Sequence, residues 1–457
     1  MCGIFGIYPY KEASKITSLG LYALQHRGEE AAGIITRNGS KVYLRKSLGL
    51  VSDVFDEKII RSLRGEMAVG HVRYSTTGSS NIKNTQPFYV RSKIGDIAIA
   101  HNGNLINAQE LKDGLEERGA LFQTTMDSEV IVHLLAHSPN RDYQQAMTWA
   151  LGELKGAYSL VMMFNDIMVG ARDTFGFRPL CLGKLNDAWV LASETCALDL
   201  VGAEYIRDVE PGEIVFIHKD RLESFKPLPS TRCAFCIFEY IYFARPDSNI
   251  FGQNVYLARN RLGRELAREF PGEADFVMPI PDSGMYAALG FSQASGIPFE
   301  IGMIRNHYIG RTFIQPVQLT RDFRVKVKLN PVKDILRDKN VIVIEDSIVR
   351  GTTSKARVKT LRQAGAKQLH MRVSCPPLRY PCFYGIDFPT KKELIAAKHS
   401  IEWIKDFIGV DSLEYLSQEG MLGAMPLPKD KFCTACFDGK YPIKAPRRLS
   451  KCVLERR

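Results

Sequence analysis

The stretch 340–354, NVIVIEDSIVRGTTS, predicts the fold of the second half of the chain. Its apolar run is typical of a buried strand, and Glu345 and Asp346 follow where that strand ends. A loop of glycine and hydroxyl residues comes next and leads into a helix that we expect to open at Lys355. This order predicts a parallel α/β domain with a ligand site at the end of the strand. A surface turn before a capped helix is the alternative.

Each part of this stretch has a chemical use. Adjacent carboxylates can hydrogen-bond vicinal ribose hydroxyls or help position a hydrated Mg²⁺, and the donors of residues 350–354 can hold a 5′-phosphate. A second anion site is predicted upstream, where an apolar strand over 276–280 meets the turn 281–284 (PDSG) and a helix of small residues begins at Met285. Helix-start N–H groups beside a glycine can accept a diphosphate, although many strand-to-helix loops share this pattern.

The start of the chain predicts a different chemistry. Removal of Met1 would leave Cys2 with both its thiol and a free α-amino group. An amine with a pKa of about 7.7–8.0 can accept the proton of that thiol, so that one residue supplies nucleophile and base. Residues 3–7 (GIFGI) predict a buried strand beside the thiol. The alternative is that a cysteine stands at position 2 without a catalytic role.

Further strands deliver polar groups to their ends. Residues 70–78 predict a strand that runs into polar residues, and residues 97–105 predict a strand broken by an Asn-Gly turn. A cysteine that hydrolyses an amide needs a cation for the substrate carboxylate and donors for the developing oxyanion. Arg73, the Asn102 side chain and the Gly103 N–H are suitable candidates.

Four segments together resemble the glutaminase domain of the N-terminal-nucleophile amidotransferases: CGI at 2–4, LQHRG at 24–28, GHVRYST at 70–76 and HNGN at 101–104. The resemblance implies that Cys2 attacks the glutamine side-chain amide and that Asn102 and Gly103 form the oxyanion hole. It further implies the glutamine-binding residues Arg73 for the α-carboxylate, Asp127 for the α-amino group, and Thr76. The alternative for Asp127 is a helix N-cap before Ser128.

The segment 340–354 resembles the phosphoribosyl-diphosphate loop of the type I phosphoribosyltransferases. With the first half, and with segments 239–248 and 305–315, it makes nearly the whole chain similar to the family of glutamine phosphoribosyldiphosphate amidotransferases. One departure is Glu345, where the family often has aspartate. The resemblance implies Mg²⁺ at Ser283, Glu345 and Asp346. It implies this set for phosphoribosyl diphosphate: Asp282, Ser283, Gly284, Glu345, Asp346, Ser347, Arg350, Gly351, Thr352, Thr353 and Ser354.

The same resemblance implies the reaction and its partners. Phosphoribosyl diphosphate, glutamine and water would become phosphoribosylamine, glutamate and diphosphate, the first step of purine biosynthesis, with ammonia passed internally between two active sites. The polar and aromatic segment 305–315 is expected to order over the glutamine site when both substrates bind. Feedback inhibition by purine nucleotides and a homotetramer are implied as well.

The cysteines allow two interpretations. Cys-x-x-Cys pairs at 233–236 and 433–436 are compatible with a four-thiolate zinc site. The resemblance to iron–sulfur members of the family instead implies a [4Fe–4S] cluster on Cys236, Cys382, Cys433 and Cys436. Buried free cysteines are a further alternative. Cys233 and Cys375 are then bystanders, and Cys452 is a residue of the tail. Cys181 and Cys196 are expected in the core.

Composition fits a globular enzyme of 457 residues, 45% hydrophobic and 24% charged, with a net charge of +11. Neither a spanning apolar run nor a signal peptide is visible in the sequence, so we expect a cytoplasmic protein with no membrane partner. The charge permits a phosphorylated substrate, and we expect no nucleic-acid partner because no recognition module is legible. We predict an αββα glutaminase sandwich over residues 2–229 and a phosphoribosyltransferase domain with a C-terminal helical extension over 230–457, joined by the linker 227–230.

Overall fold

The computed structural model describes residues 1–74, 81–140, 142–230, 232–306, 329–388, 390–444 and 453–455. The described residues of the first half form these strands: β1 Gly3–Tyr8, β2 Ala31–Asn38, β3 Lys41–Leu48, β4 Met67–Arg73, β5 Phe88–Ser92, β6 Gly95–Leu105, β7 Gly156–Phe164, β8 Ile167–Arg172, β9 Cys181–Leu185, β10 Ala188–Ala192, β11 Glu204–Asp208, β12 Ile214–Ile217 and β13 Leu222–Phe225. Its α-helices are α1 Ala13–Ala23, α2 Val51–Val54, α3 Glu57–Ser62, α4 Ala108–Glu116, α5 Ser128–Ala136, α6 Tyr143–Gly152 and α7 Thr195–Val201.

These elements form four layers. One antiparallel sheet has the order β11-β9-β10-β1-β4-β2-β3, and a second has the order β13-β12-β8-β7-β6-β5. Alternation along β1 shows why the layers stack: Phe5 and Ile7 pack towards α1, whereas Ile4 packs with Ala98 and Ala100 of β6 between the sheets. Helices α5 and α6 cover the far face of the second sheet. The predicted αββα sandwich is confirmed.

The second half is built around a parallel sheet. Its strands are β14 Phe235–Cys236, β15 Asn249–Ile250, β16 Gln253–Asn254, β17 Phe276–Pro279, β18 Met303–Arg305, β19 Leu329–Pro331, β20 Asn340–Glu345, β21 Gln368–Val373, β22 Ser412–Tyr415 and β23 Phe432–Cys433. Its α-helices are α8 Val255–Glu269, α9 Met285–Ser295, α10 Lys333–Leu336, α11 Thr352–Gln363, α12 Ile401–Ile408, α13 Gln418–Gly423 and α14 Ala435–Asp438. Strands β17, β20, β21 and β22 pair in that order, all parallel, so the predicted parallel α/β domain is also confirmed.

Shorter turns complete the chain. Residues Glu239–Phe243 form a single π-helical segment. The 3₁₀-helices are Gln25–Arg27, Ile82–Asn84, Lys391–Glu393, Ile395–Ala397, Lys429–Lys431 and Val453–Glu455. The predicted linker 227–230 lies between β13 and β14, and Leu454 from the end of the chain packs with the first half. Within the described ranges, no helix combines the length and hydrophobicity needed to cross a membrane.

Two local predictions are wrong. Helix α11 begins at Thr352 rather than Lys355, because Gly351 adopts a φ of 73° and turns the chain directly into the helix. The predicted Asn-Gly turn does not interrupt β6, which runs unbroken through Asn102 and Gly103 in register with β7. Glycine is needed at 103 for close approach, since a Cβ there would lie 1.9 Å from the Ala157 carbonyl oxygen.

Candidate active sites

Cys2 lies directly before β1 and is buried. Its Sγ is 3.6 Å from the carbonyl oxygen of Tyr74, and its own carbonyl oxygen accepts a 3.0 Å hydrogen bond from Arg27 Nε. Burial raises the pKa of the Cys2 thiol above its ordinary value, which keeps the thiol protonated until a base is available. Burial also lowers the pKa of the Met1 α-amino group, to about 4.

Two strand ends bring the predicted glutaminase residues together. Arg73 ends β4, is 3% exposed, and is near enough to Cys2 to lower the pKa of its thiol against the larger effect of burial. The neighbouring sheet is tied to β4 here, because His71 Nε2 lies 3.3 Å from the His101 carbonyl oxygen. Asn102 is the next residue of β6 after this contact, and Arg73 lies two residues after His71 on β4. Thr76 lies outside the described residues.

The Asn102 amide has the properties of an oxyanion donor. The residue is 1% exposed, and its Nδ2 has no hydrogen-bond partner within the described part of the chain. A buried amide nitrogen without an acceptor is costly, so an acceptor supplied by a ligand would be strongly favoured. Gly103 places the next backbone N–H on the same strand.

Asp127 is a carboxylate held in place by the strand that bears Asn102. Its Oδ2 accepts a 2.9 Å bond from Leu105 N, and its Oδ1 lies 3.7 Å from His101 Nδ1. Burial opposes ionisation, but His101 and these hydrogen bonds outweigh it and hold the pKa of Asp127 below its ordinary value. Asp127 occupies the N-cap position of α5, as the alternative expects, but its side chain makes no capping hydrogen bond. An ionised carboxylate is available for an ammonium group.

The predicted phosphoribosyl residues meet at the carboxyl ends of β17 and β20. Ser283 Oγ donates to Asp346, whose other oxygen accepts a 2.5 Å bond from Ser347 Oγ. Gly284 permits this approach, since a Cβ there would lie 2.5 Å from the Ile344 carbonyl oxygen. Outside this contact, Asp282 pairs with Arg305. The structure thus brings the turn 281–284 next to the carboxyl end of β20.

The loop before α11 presents backbone donors at a helix N-terminus. Gly351 precedes the helix, and Thr352, Thr353 and Ser354 form its first turn. Four helix-start N–H groups lack intrahelical acceptors, which suits a phosphate. Arg350 is exposed and pairs with Glu393.

Glu345 is the least expected of the acidic residues. It is buried, and its Oε2 accepts a 2.7 Å bond from Arg357 Nη1 of α11, a partner that no sequence pattern indicated. Burial raises the pKa of Glu345 to about 7 despite this arginine, with Asp346 adding to the rise. In the described ranges, no three His, Cys, Asp or Glu side chains converge on one point as ligands of a single ion. Mg²⁺ commonly keeps one or two carboxylates plus substrate oxygens, and Asp346 beside Ser283 fits that use.

Four cysteines gather near the interface between the halves. Cys236 and Cys433 are paired residues of the parallel strands β14 and β23, and Cys436 lies in α14. Burial raises the pKa of the Cys236 thiol to about 11, and Cys382 is close enough to contribute to that rise.

The types of residue around these four thiols suit a metal–sulfur cluster. Aromatic rings of Phe177, Phe383, Tyr384 and Tyr441 pack beside Cys382 and Cys433. The pKa of the buried Arg178 guanidinium is raised in part by the nearby Cys236 and Cys382, so a cation adjoins the thiols. Four thiolates in apolar surroundings are typical ligands of [4Fe–4S] clusters. Cys181 and Cys196 are buried in the sandwich core as predicted, and Cys452 lies outside the described residues.

Sequence reasoning missed a buried ion network between the halves. Arg27 contacts both Glu194 and Glu239, at 2.5 Å and 2.9 Å, and Arg178 lies 3.4 Å from Glu239. All four side chains are almost fully buried. Arg27 and Glu239 both lie in segments that carry the family resemblance, which was the available signal, but their pairing required the structure.

The fold and these two sites define a class: a glutaminase of the N-terminal-nucleophile type joined to a phosphoribosyltransferase domain. A model of the glutamine amidotransferase domain matches residues 71–200. The chain is 49% identical to an amidophosphoribosyltransferase of Synechococcus elongatus, over 99% of this chain and 94% of that protein. It is 48% identical to the amidophosphoribosyltransferase of Methanothermobacter thermautotrophicus, over 98% of this chain and 96% of that protein. The chain belongs to the amidophosphoribosyltransferase family.

Solved structures agree over the whole length. Glutamine phosphoribosylpyrophosphate amidotransferase of B. subtilis, solved with ADP and GMP, is 46% identical with a TM-score of 0.92 and covers 98% of each chain. A second structure, described as the allosteric regulatory enzyme of purine biosynthesis, has a TM-score of 0.93 at 46% identity, over 98% of this chain and 97% of that one. The protein is a glutamine-dependent amidotransferase that acts on phosphoribosyl diphosphate in the first step of purine biosynthesis.

Proposed function

We propose that Cys2, freed by removal of Met1, is the nucleophile of the glutaminase half. Its α-amino group accepts the thiol proton as Sγ attacks the amide carbon of glutamine. The negative oxygen that forms is bound by Asn102 Nδ2 and the Gly103 N–H. The same amino group then returns the proton to the departing nitrogen, which leaves as ammonia, and water hydrolyses the glutamyl thioester to glutamate.

Binding of glutamine needs two complementary charges. Arg73 offers a buried guanidinium to the α-carboxylate, and the ionised Asp127 accepts from the α-ammonium group. Thr76 is proposed as a further contact. The observation that supports the glutaminase assignment as a whole is the Asn102 Nδ2 atom, which is a buried donor for which the described residues supply no acceptor.

Ammonia is proposed to pass internally along two tyrosines. The carbonyl oxygen of Tyr74 adjoins the Cys2 thiol. Burial raises the pKa of the Tyr74 hydroxyl, and the nearby Tyr242 raises that pKa further. Tyr242 in turn lies close enough to Asp346 for that carboxylate to raise its pKa. These electrostatic neighbours support a route from one site to the other, and the route would have to be sheltered because protonated ammonia is not a nucleophile. Ordering of 305–315 over the glutamine site remains part of the proposal, and residues 307–315 of it lie outside the described ranges.

In the second half, the phosphate and ribose contacts are proposed from the loop geometry. Residues 350–354 hold the 5′-phosphate, the turn 282–284 holds the diphosphate, and Glu345 with Asp346 faces the ribose. Mg²⁺, positioned by Ser283, Glu345 and Asp346, would neutralise charge on the leaving diphosphate. Ser283 and Asp346 are already hydrogen-bonded, which pre-positions these two oxygen donors.

Three further features are proposed for this chain. A [4Fe–4S] cluster on Cys236, Cys382, Cys433 and Cys436 would hold together strands β14 and β23, and Arg178 would offset part of its negative charge. Inhibition by purine nucleotides and assembly into a homotetramer are proposed from the family. Both are tested directly, by inhibition with GMP and ADP and by analytical ultracentrifugation.

The central experiment measures diphosphate release from phosphoribosyl diphosphate with either glutamine or ammonia as donor. Cys2→Ala should abolish the glutamine-supported rate and leave the ammonia-supported rate. Cys181→Ala removes a buried thiol of the sandwich core and should behave as the parent, so it controls for loss of a cysteine. Intact mass measurement of the parent checks removal of Met1. Glutamine-supported turnover in Cys2→Ala would contradict the assignment.

A further inference from the structure

The amino-terminal nucleophile is held by a contact to its carbonyl oxygen. A residue at the end of a chain has no preceding peptide group, so its own carbonyl and side chain determine where its amine and thiol point. The Cys2 carbonyl oxygen accepts a 3.0 Å bond from Arg27 Nε. The direction of the Arg27 guanidinium therefore affects the direction of the Cys2 functional groups.

Arg27 is aligned by a carboxylate from the other half of the protein. Glu239 opens the π-helical segment that precedes α8, and its two oxygens lie 2.9 Å and 3.0 Å from Arg27 Nη2 and Nη1. A two-point contact between a carboxylate and a guanidinium fixes the plane of the guanidinium as well as its distance. Both side chains are fully buried, so water cannot replace either partner.

We propose that Glu239 is a positioning residue of the glutaminase site, which it reaches across the interface by holding Arg27 against the Cys2 carbonyl. The phosphoribosyltransferase half then supplies a part of the glutaminase, and the first half alone lacks the alignment of its nucleophile. The inference rests on the proposed role of Cys2 as nucleophile.

The remaining contacts of the network explain why Glu239 is needed. Glu194, the other carboxylate on Arg27, is also bound by His26 Nε2 at 2.8 Å and Ser248 Oγ at 2.7 Å and cannot follow a displaced guanidinium. Arg178 is anchored to the Tyr384 carbonyl oxygen at 3.0 Å and would face Arg27 without an intervening anion. Loss of the Glu239 charge therefore leaves Arg27 drawn towards Glu194 and repelled by Arg178, and both effects act on the bond to Cys2.

The same charges act on the amino terminus. With Met1 in place, burial is the main cause that lowers the pKa of the Met1 amine; Arg27 and Arg178 lower it further, whereas Cys2 and Glu239 oppose them. On the thiol side, Arg73 lowers and Asp127 raises the pKa of Cys2. Arg27 contacts the Cys2 carbonyl directly, so after Met1 is removed the loss of the negative charge of Glu239 leaves a more positive potential at Cys2 and should lower the pH at which its thiol reacts. This gives a readout separate from simple loss of structure.

The test compares Glu239→Gln with the parent in the full-length protein. We expect the glutamine-supported kcat to fall about 10- to 100-fold, as for a reacting group displaced by up to 1 Å, with KM for glutamine little changed. The ammonia-supported rate should stay within about twofold of the parent, because the phosphoribosyl site is not touched. The pH midpoint for alkylation of Cys2 by iodoacetamide, followed by peptide mass mapping, should move to lower pH.

Glu213→Gln is the matched control. Glu213 is also buried and two-point bonded to an arginine, Arg207, at 2.6 Å and 2.8 Å, but that pair has no contact with Cys2. It should leave both rates and the alkylation midpoint unchanged. If both rates fall together in Glu239→Gln, the residue only holds the interface and the proposal is wrong; unchanged rates would also overturn it.

A conservative variant covers the case in which Glu239→Gln does not fold. Glu239→Asp keeps the charge and withdraws the oxygens, so it should lower the glutamine-supported kcat while the alkylation midpoint stays with the parent. Parent-like kcat in that variant would overturn the proposal. Cys2→Ala is assayed in parallel, and glutamine-supported turnover there would overturn the role of Cys2 instead of the placement of Glu239.

Discussion

Substitution of Gly103 by alanine tests the oxyanion strand with a displacement that the structure quantifies. The added Cβ would lie 1.9 Å from the Ala157 carbonyl oxygen, whereas separations under 3.0 Å are essentially never seen. Strands β6 and β7 must therefore part by about 1.1 Å at this point, or β6 must rotate. Either response moves the Gly103 N–H and the neighbouring Asn102 amide away from the oxyanion.

The size of the loss follows from that displacement. A misplacement of about 1 Å costs roughly 100-fold in rate, and removal of one oxyanion donor costs about 100- to 1,000-fold. We expect Gly103→Ala to lower the glutamine-supported kcat about 100-fold and to destabilise the protein by about 1–3 kcal/mol through overpacking. The ammonia-supported rate should be retained, because the phosphoribosyl site lies in the other half.

The assay follows glutamate formation, diphosphate release with each donor, and urea unfolding. Gly114→Ala in α4 is the control, since a Cβ there meets no atom within 4 Å. It should preserve both rates and add about 0.5–1 kcal/mol of stability, as expected when glycine is replaced within a helix. Glutamate formation in Gly103→Ala within threefold of the parent would refute the assignment of the oxyanion hole to this strand.

Three further outcomes are expected. Glu345 has an ordinary pKa of 4.5 and a pKa of about 7 in the folded protein, so the folded state holds an extra proton between these values and its stability falls as pH rises from about 4.5 to 7. Relative to Glu345→Gln, the parent should lose about 3 kcal/mol of unfolding free energy over that pH range. Parallel curves of unfolding free energy against pH, measured by urea melts, would refute this. Gly351→Ala should lower the rate with phosphoribosyl diphosphate whether glutamine or ammonia is the nitrogen donor, because Gly351 has a φ of 73° and an added Cβ would lie 2.6 Å from Ile395 Cδ1. A lower rate with glutamine alone would contradict the phosphate-loop assignment. Anaerobically purified parent should contain about four iron and four sulfide per chain, Cys233→Ala should match it and Cys382→Ala should not; equal iron in both variants would exclude the proposed ligand set.

Sequence patterns predicted the layers and strand ends well, because the fold depends on repeating apolar faces. Alternation in β1 and the apolar run of β20 each place side chains on a known face, so Cys2 and Asp346 could be assigned to strand ends before the structure. Residues that act through backbone approach were harder to assign. Asn-Gly is a strong turn signal, yet Gly103 serves the contact with Ala157 inside a continuous strand.

Long-range charge pairs could not be predicted from the sequence. Arg357 pairs with Glu345 across twelve positions, from a helix whose start was placed three residues too late. Arg27 and Glu239 are 212 positions apart. A lone arginine or glutamate has no periodicity, so its burial and partner become visible only when the elements that carry them are packed together.

The contacts around the four cysteines show that they and the glutaminase site belong to one packed interface. The loop that carries Cys382 continues through Phe383, whose carbonyl oxygen accepts a 3.0 Å bond from Asn104 Nδ2 at the end of β6. A Cβ on Gly385 would lie 3.1 Å from the Gly103 carbonyl, so this loop packs directly on the oxyanion strand. Because close-packed interiors transmit displacement instead of absorbing it, a shift of the Cys382 loop must move the end of β6. The loop that carries Cys382 therefore supports the position of Gly103, whether the Cys382 sulfur binds a cluster or carries a proton.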